Sequence, residues 1–366
     1  MVKRDSFQPP AFSSLGLLPQ ALLPWYGANA RDLPWRADRE PYHVWLSEIM
    51  LQQTRVEAAR GYYLRFLQAL PTIAALAAAE EGRLLKLWEG LGYYNRVRNL
   101  QRAAQRVMAG HGGIFPREYP AVRALPGIGD YTAGAICSIC FDAPVAAVDG
   151  NVLRVVSRVE DIRQPMDTPQ MKRAVAAALS AVYPPGRCGD FTQSLMELGA
   201  TVCQPGPRPQ CSGCPCRGFC RGLAGGAAAE LPLLTPKRPR RAEERTVFLL
   251  EWEGKLALCR RPPKGLLAGL WQFPNLPGSL SPQEALSQAA AWDTAPIALE
   301  QALFRTHVFT HLEWRMTGYR LRCARPAPCF AWAGPEALAG AYALPTAFRQ
   351  FIDTGEGRRG AFPGKP

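Results

Sequence analysis

Two carboxylates and a run of thiols are the groups whose surroundings in this chain differ most from those of ordinary surface residues. Glu48 lies in Trp45-Leu46-Ser47-Glu48-Ile49-Met50-Leu51-Gln52-Gln53-Thr54, among large apolar side chains. Helical glutamates are normally solvated, whereas an apolar enclosure raises a carboxyl's pKa toward the range of a general acid. Asp149 stands in Val148-Asp149-Gly150-Asn151-Val152, followed by Arg154 and Arg158. An aspartate at this place caps a helix, and a cap also fixes the position of its carboxylate. Five of the 11 cysteines (Cys203, Cys211, Cys214, Cys216 and Cys220) fall within residues 203–220. The spacing Cys203-x7-Cys211-x2-Cys214-x5-Cys220 suits four thiolates around zinc or an iron–sulfur cluster and leaves both open. An odd, unevenly placed cysteine set argues against a secreted disulfide framework.

Two glycine-bearing segments supply contacts of another kind. In Leu125-Pro126-Gly127-Ile128-Gly129-Asp130-Tyr131 a tight turn leads directly into a helix. Glycines let backbone N–H groups approach a ligand, and a helix N-terminus favours an anion. Gly127 and Gly129 are therefore candidate grips on a DNA phosphate, a contact that reads no base. Gly90-Leu91-Gly92-Tyr93-Tyr94-Asn95-Arg96-Val97-Arg98 joins a tight turn to aromatics and guanidinium groups, a stacking-plus-phosphate combination. Gln52, Gln53 and Thr54 offer short polar groups for base edges.

These residues need elements to hold them. Residues 15–200 read mainly as helices, with Tyr42, Trp45, Leu46, Ile49 and Met50 on one helical face behind Pro41. Amphipathic stretches at Leu84–Trp88, Val107–Met108 and Met171–Val182, and an Asp149-capped helix through Val152–Val159, continue the pattern. Residues 223–245 lose all periodicity and read as an exposed basic linker. Beyond it Thr246–Trp252, a turn at Gly254-Lys255, Leu256–Arg260, Phe304–Phe309 and Leu312–Leu321 read as strands. Ala337–Ala341 and Thr346–Ile352 read as helices, making this half α+β. The net charge of +13, positive in every segment, favours a polyanionic partner. Apolar stretches such as Ile73–Ala79 fall far short of the ~18 residues of a membrane span. The N-terminal apolar region is broken by Pro19 and Gln20, so it reads as no signal peptide. A cytoplasmic protein is expected.

Leu33-Pro34-Trp35, Trp45–Thr54, Gly90–Leu100, Leu125–Ala135, Val148–Val152, Met196–Cys203 and the cysteine loop follow one another over about residues 31–222. This ordered set resembles the endonuclease III superfamily of DNA glycosylases and, within it, the adenine-excising MutY family. The resemblance implies a mainly α helix–hairpin–helix domain over residues 1–222, with the hairpin at about 118–140. Its two lobes would flank a cleft, and Cys203, Cys211, Cys214 and Cys220 would hold one [4Fe-4S] cluster. Seven residues separate the first two cysteines where the family has six, and Cys216 is left outside the ligand set. Glu48 would protonate a flipped adenine, Asp149 would stabilise the oxocarbenium ion, and Tyr131 and Asn151 would orient Asp149 and the water. Trp35, Arg36, Gln53, Thr54, Leu91, Tyr93 and Gln193 would contact the substrate, with Gln53 and Tyr93 in the base stack. A bifunctional glycosylase/lyase needs a lysine where this hairpin carries Tyr131, so the resemblance implies monofunctional hydrolysis. A scaffold that kept the fold and lost catalysis is the other alternative, opposed by the intact Glu48, Asp149 and Tyr131.

Residues 246–354 resemble the recognition domain of the same family, a Nudix (MutT-like) fold entered through Leu266-Leu267-Ala268-Gly269-Leu270-Trp271-Gln272-Phe273-Pro274. The metal-binding glutamates of a Nudix hydrolase are missing after Pro274, where Glu284 stands nearly alone, so the fold would serve binding. Phe309-Thr310-His311 occupies the place of the family's Phe-Ser-His loop, which senses 8-oxoguanine opposite the adenine. The implied partner is double-stranded DNA carrying adenine opposite 8-oxoguanine or guanine. The protein is expected to be a nucleoid-associated bacterial monomer with no membrane contact and a disordered tail over 355–366.

Overall fold

The structure, a computed structural model, describes residues 7–236 and 239–352, so the tail over 355–366 lies outside the described residues. In chain order the first helices are α1 (Leu18–Asn29), α2 (Pro41–Leu51), α3 (Val56–Ala69), α4 (Ile73–Ala78) and α5 (Glu81–Leu87). Next come α6 (Asn95–His111), α7 (Tyr119–Arg123), α8 (Asp130–Phe141), α9 (Gly150–Glu160), α10 (Pro169–Ser180), α11 (Cys188–Thr201) and α12 (Arg221–Ala224). The strands are β1 (Arg241–Trp252), β2 (Lys255–Arg260), β3 (Trp271–Gln272), β4 (Asn275–Pro277), β5 (Pro296–Val308), β6 (Leu312–Cys323) and β7 (Ala331–Ala333). Helices α13 (Pro282–Ala291), α14 (Pro335–Gly340) and α15 (Thr346–Arg349) accompany them. One unit comprises residues 1–79 with 95–237, and the other 80–94 with 238–366.

The first unit is helical. Helix α2 starts with Pro41 at its first position and buries every residue from Val44 to Met50, the mark of a helix enclosed on all sides. Helix α8 buries Thr132–Ile139 in the same way. Asp149 caps α9 by accepting the Val152 N–H at 2.8 Å, as its sequence position predicts. Helices α8, α9 and α11 approach closely because glycine stands at their contacts. A Cβ on Gly189 of α11 would lie 2.9 Å from Ile139 Cα of α8, and one on Gly199 would lie 2.5 Å from Asn151 Cβ of α9.

The second unit is built on a sheet ordered β3-β2-β1-β6-β5, with β4 also on β1 and β7 also on β2. Strands β1 and β6 run parallel from Arg241↔Leu312 to Glu251↔Arg322, and β5 and β6 form a hairpin around residues 309–311. Val247 and Leu249 face a core with Phe273, Trp314, Met316, Phe348 and Phe351. Phe248 and Leu250 face another with Ala285, Ala289, Tyr319 and Leu321. Burial on both faces explains the unbroken apolar run in β1. Helix α13 opens with a reciprocal Ser281–Glu284 capping box, which accounts for the isolated Glu284.

Two expectations are corrected. The 223–245 segment is not an exposed linker throughout, because Ala227, Ala228 and Leu231 are buried and Arg158 Nε donates to the Leu231 carbonyl at 2.9 Å. Two alanines and one leucine pack there without any legible period. Strand β1 also begins at Arg241, inside that segment, where β4 and β6 supply its ladder partners. The β1–β2 turn is Glu253-Gly254 and not Gly254-Lys255, since Trp252 pairs with Lys255 and both turn residues have positive φ (47° and 72°). That geometry matches the strand twist in a two-residue loop.

Gly199→Ala should lower stability by about 1–3 kcal/mol, the cost of overpacking a tight helix contact. Thermal unfolding measures it, and an unchanged midpoint would contradict the close approach of α11 to α9.

Candidate active site

Glu48 sits on α2 at 7% exposure, with one oxygen, Oε2, accepting a short hydrogen bond from the Tyr131 hydroxyl of α8. Burial is the main cause that pushes its carboxyl up to about 7, opposed by the Tyr131 bond, raised further by the Asp149 charge and lowered by Arg36. The Tyr131 hydroxyl is itself pushed well above its ordinary range, chiefly by burial and then by Glu48. It therefore stays a donor. Its hydrogen bond goes to Glu48, while Asp149 acts on it through charge.

Asp149 is held from its own helix. Its Oδ1 accepts the Val152 N–H, and Oδ2 accepts Asn151 Nδ2 at 2.7 Å. Burial raises its pKa, while these N–H donors favour the charged form. The two carboxyls thus differ in their partners: Glu48 is buried and bonded by a hydroxyl, whereas Asp149 takes its hydrogen bonds from amide N–H donors that oppose the effect of burial. Asn151 is positioned in turn by Arg154, whose Nη2 donates to Asn151 Oδ1 at 2.8 Å and to the Gly199 carbonyl at 2.8 Å. The same guanidinium donates through Nε to the Cys203 carbonyl at 2.7 Å.

Sequence reasoning missed Glu197. Its carboxylate is fully buried on α11 and binds Arg31 Nε at 2.6 Å and Arg36 Nη2 at 2.7 Å. The signal was present: a lone acid flanked by Leu195 and Leu198 on a buried helix needs cationic partners. Through Arg36 it places a positive charge that acts on Glu48. Trp35 enters the core edge-on against Tyr63 at 5.5 Å, while Gln193 is half-buried on α11.

At the hairpin, Gly127 has φ 77°, and a Cβ there would lie 2.5 Å from Asn99 Cβ, so only glycine fits. Gly129 is the N-cap of α8 with no side-chain cap, and both glycines are exposed. Gln53, just beyond the end of α2, is exposed at φ 59°, with Thr54 half-buried beside it. Non-glycine residues in this region carry backbone strain of about 1–3 kcal/mol, common at ligand clamps.

All five cysteines of the 203–220 loop line one pocket with Val155, Arg158 and Leu198. Arg158 Nη1 donates to Cys203 Sγ at 3.4 Å. Convergence of soft donors on one pocket suits an iron–sulfur cluster, although among the described residues no three are grouped as ligands of a single metal ion.

In the second unit, Leu91 is buried and Tyr93 is half exposed at φ 48°. The Tyr93 hydroxyl lies 3.0 Å from Thr310 Oγ1. Phe309 anchors the loop edge-on against His307 at 4.6 Å and Trp314 at 4.9 Å. Thr310 and His311 are exposed.

Residues 46–181 match the HhH-GPD superfamily of base excision DNA repair proteins, and residues 246–354 match the NUDIX domain family. The chain is similar to a thermostable thymine-DNA glycosylase at 26% identity and TM-score 0.53, over 58% of this chain and 97% of that one. Fold and site thus define a helix–hairpin–helix base-excision glycosylase carrying a Nudix-like domain. It is 35% identical to the adenine DNA glycosylase of Mus musculus, over 92% of this chain and 78% of the relative. It is 36% identical to that of Rattus norvegicus, over 84% of this chain and 70% of the relative. The chain belongs to the adenine DNA glycosylase family.

The Glu48 shift has a testable sign. A carboxyl whose folded-state pKa is raised from 4.5 to about 7 contributes stability that is complete below about pH 4.5 and lost as pH rises through about 7. Glu48→Gln, neutral at every pH, should therefore gain roughly 1–3 kcal/mol over the parent at pH 8 and little at pH 4. Unfolding midpoints at the two pH values measure this; equal differences at both would refute the buried, proton-holding Glu48.

Proposed function

We infer that this chain is a monofunctional DNA glycosylase that removes adenine from double-stranded DNA in base excision repair. The observation that carries the reading is the dry, Tyr131-bonded Glu48 placed where it interacts electrostatically with the amide-held Asp149. Adenine leaves poorly as an anion, so the flipped base must be protonated while the sugar acquires oxocarbenium character. With Oε2 on Tyr131, Oε1 of Glu48 has no hydrogen-bond partner among the described residues and is the oxygen that delivers the proton, at N7 of the base. Asp149 stabilises the cation or bonds to it transiently before water attacks, and Asn151 keeps it in register. Arg36, Trp35 and Gln193 shape the base pocket, while Gln53 and Thr54 reach the stack and Gly127 and Gly129 hold a phosphate. A lyase step needs an amine to form a Schiff base, and Tyr131 supplies none.

The second unit reads the base opposite. Tyr93 enters the stack beside Leu91, and Thr310 and His311, carried on the anchored Phe309, offer hydrogen bonds to 8-oxoguanine. Thr310 keeps the hydroxyl of a serine and adds a methyl group. Guanine opposite adenine is the poorer substrate, and the enzyme acts as a monomer in the cytoplasm, at the nucleoid. Cys203, Cys211, Cys214 and Cys220 would hold a [4Fe-4S] cluster, whose contribution is to brace the loop that supports Arg154 and the basic surface around Arg208 and Arg217.

Single-turnover excision from duplexes with adenine opposite 8-oxoguanine, guanine or thymine tests the reading. Excision should be fastest opposite 8-oxoguanine. In the parent it should fall about tenfold per pH unit above pH 7 as Glu48 loses its proton. Glu48→Gln should bind DNA and lose excision by at least ~100-fold; a near-parental rate would eliminate Glu48 as the acid. The purified protein should be brown with about four irons per chain, the content of a Cys-ligated [4Fe-4S] cluster. Cys214→Ser should lose the colour and Cys216→Ser retain it; stoichiometric zinc would overturn the cluster.

A further inference from the structure

Residues 80–94 adjoin helices of the first unit in sequence yet belong to the second. Polar groups form much of their attachment, and Glu89 is its centre. The Glu89 side chain is 6% exposed. Its Oε1 accepts the Leu344 N–H at 2.8 Å, and Oε2 lies 2.7 Å from both Lys86 Nζ and Arg349 Nη1. Lys86 Nζ also donates to the carbonyls of Leu338 at 3.0 Å and Tyr342 at 3.1 Å. Those carbonyls lie at and just beyond the C-terminal end of α14, where carbonyls lack helical partners and a cation is favoured. The carboxylate thus joins the segment after α5 to Leu344 and to α15, and through its ion pair with Lys86 it also steadies the hold on the end of α14.

Tyr93 follows four residues later, across a turn with little freedom. Gly90 and Gly92 have positive φ, Trp88 Nε1 donates to the Gly92 carbonyl at 3.0 Å, and Leu91 and Tyr94 are buried. The turn delivers the Tyr93 hydroxyl to 3.0 Å from Thr310 Oγ1. Such a bond weakens steeply with small displacements, so its survival depends on how firmly the segment is fastened.

We propose that Glu89 is a positioning residue for recognition of the base opposite adenine, latching residues 80–94 to α14 and α15 so that Tyr93 and Thr310 act as one sensor. The proposal rests on the reading of Tyr93 and Thr310 as lesion-sensing residues. Removing the carboxylate leaves Lys86 and Arg349 facing each other and the Leu344 N–H without its acceptor. The segment then relaxes and the hydroxyl pair separates.

The test uses the full chain and single-turnover excision opposite 8-oxoguanine and opposite guanine at one salt concentration. Tyr93→Phe should reduce the 8-oxoguanine preference about three- to tenfold, the worth of one neutral hydrogen bond. Glu89→Ala should reduce it by a similar factor, and the Glu89→Ala/Tyr93→Phe double variant should lose no more than the larger single loss. That non-additivity is the signature of residues acting through one contact. Glu89→Gln, which keeps an acceptor for Leu344 and loses the charge, should fall between parent and Glu89→Ala and serves should the alanine variant misfold. Parental preference in a folded Glu89 variant, multiplicative losses in the double variant, or equal loss on both substrates would overturn the latch. An unchanged preference in Tyr93→Phe would overturn the sensor reading itself and the latch with it; a responsive Tyr93→Phe beside a silent Glu89→Ala would overturn the latch alone.

Discussion

Taking a carboxyl group out of water costs several kcal/mol unless it stays protonated or finds partners, and the first unit meets this cost in three different ways. Glu48 is enclosed by α2 and bonded by one hydroxyl, so holding its proton is the favourable response. Asp149 is given amide donors at the head of α9, which favour its anion. Glu197 receives two guanidinium groups, whose hydrogen bonds and charges outweigh burial and hold its carboxyl below the usual range. Three acids in one helical unit are thereby set apart by three kinds of surroundings. The proposed chemistry draws on this separation, asking one group to act as an acid while its neighbour carries the compensating charge.

The packing follows from this assignment. Tyr131 reaches Glu48 only because α8 lies against α2, and α8 can be buried so fully because Gly134 lets the 146–147 backbone approach. Gly199 likewise admits Asn151 against α11, and Arg154 then ties Asn151 to the Gly199 carbonyl. Small residues at helix contacts are here a condition for placing polar ones, since an added methyl would displace a member of the hydrogen-bond network.

Much of this was legible in the sequence. Glu48 announced itself by its apolar neighbours, and Asp149 by its capping position, because both signals are local. The α2 and α9 helices and the strand through Thr246–Trp252 were legible for the same reason, from local periodicity, capping and β-rich composition. The partners of Glu197 and the Glu89–Arg349 pairing were not, since the paired residues stand at least 161 positions apart along the chain. The hydrogen bond from the Tyr131 hydroxyl to Glu48 left no local signal either, because the two residues lie 83 positions apart and meet only through packing. The 223–245 segment failed differently. Glycine and alanine carry no periodic signal, so its burial beneath Arg158 left no trace in the pattern.

Asp149 depends on more than its helix cap. A cap bond to Val152 fixes one oxygen, and Asn151 must fix the other for the carboxylate plane to be defined. Asn151 is a short side chain two residues on, free to rotate unless its own carbonyl is engaged, and Arg154 engages it. Arg154 in turn is set by the carbonyls of Gly199 and Cys203, one at the end of α11 and the other at the first cysteine of the 203–220 loop. Arg158, one helical turn further along α9, holds the carbonyls of Gln204 and Gly206 and the Cys203 sulfur. The two arginines therefore staple the start of the cysteine loop to the helix whose first residue follows Asp149. Disorder in that loop would remove one of the carbonyls that set Arg154 and so loosen its grip on Asn151, which fixes the second oxygen of Asp149. The fold thus gives the cysteine loop a structural hold on a carboxylate it never touches.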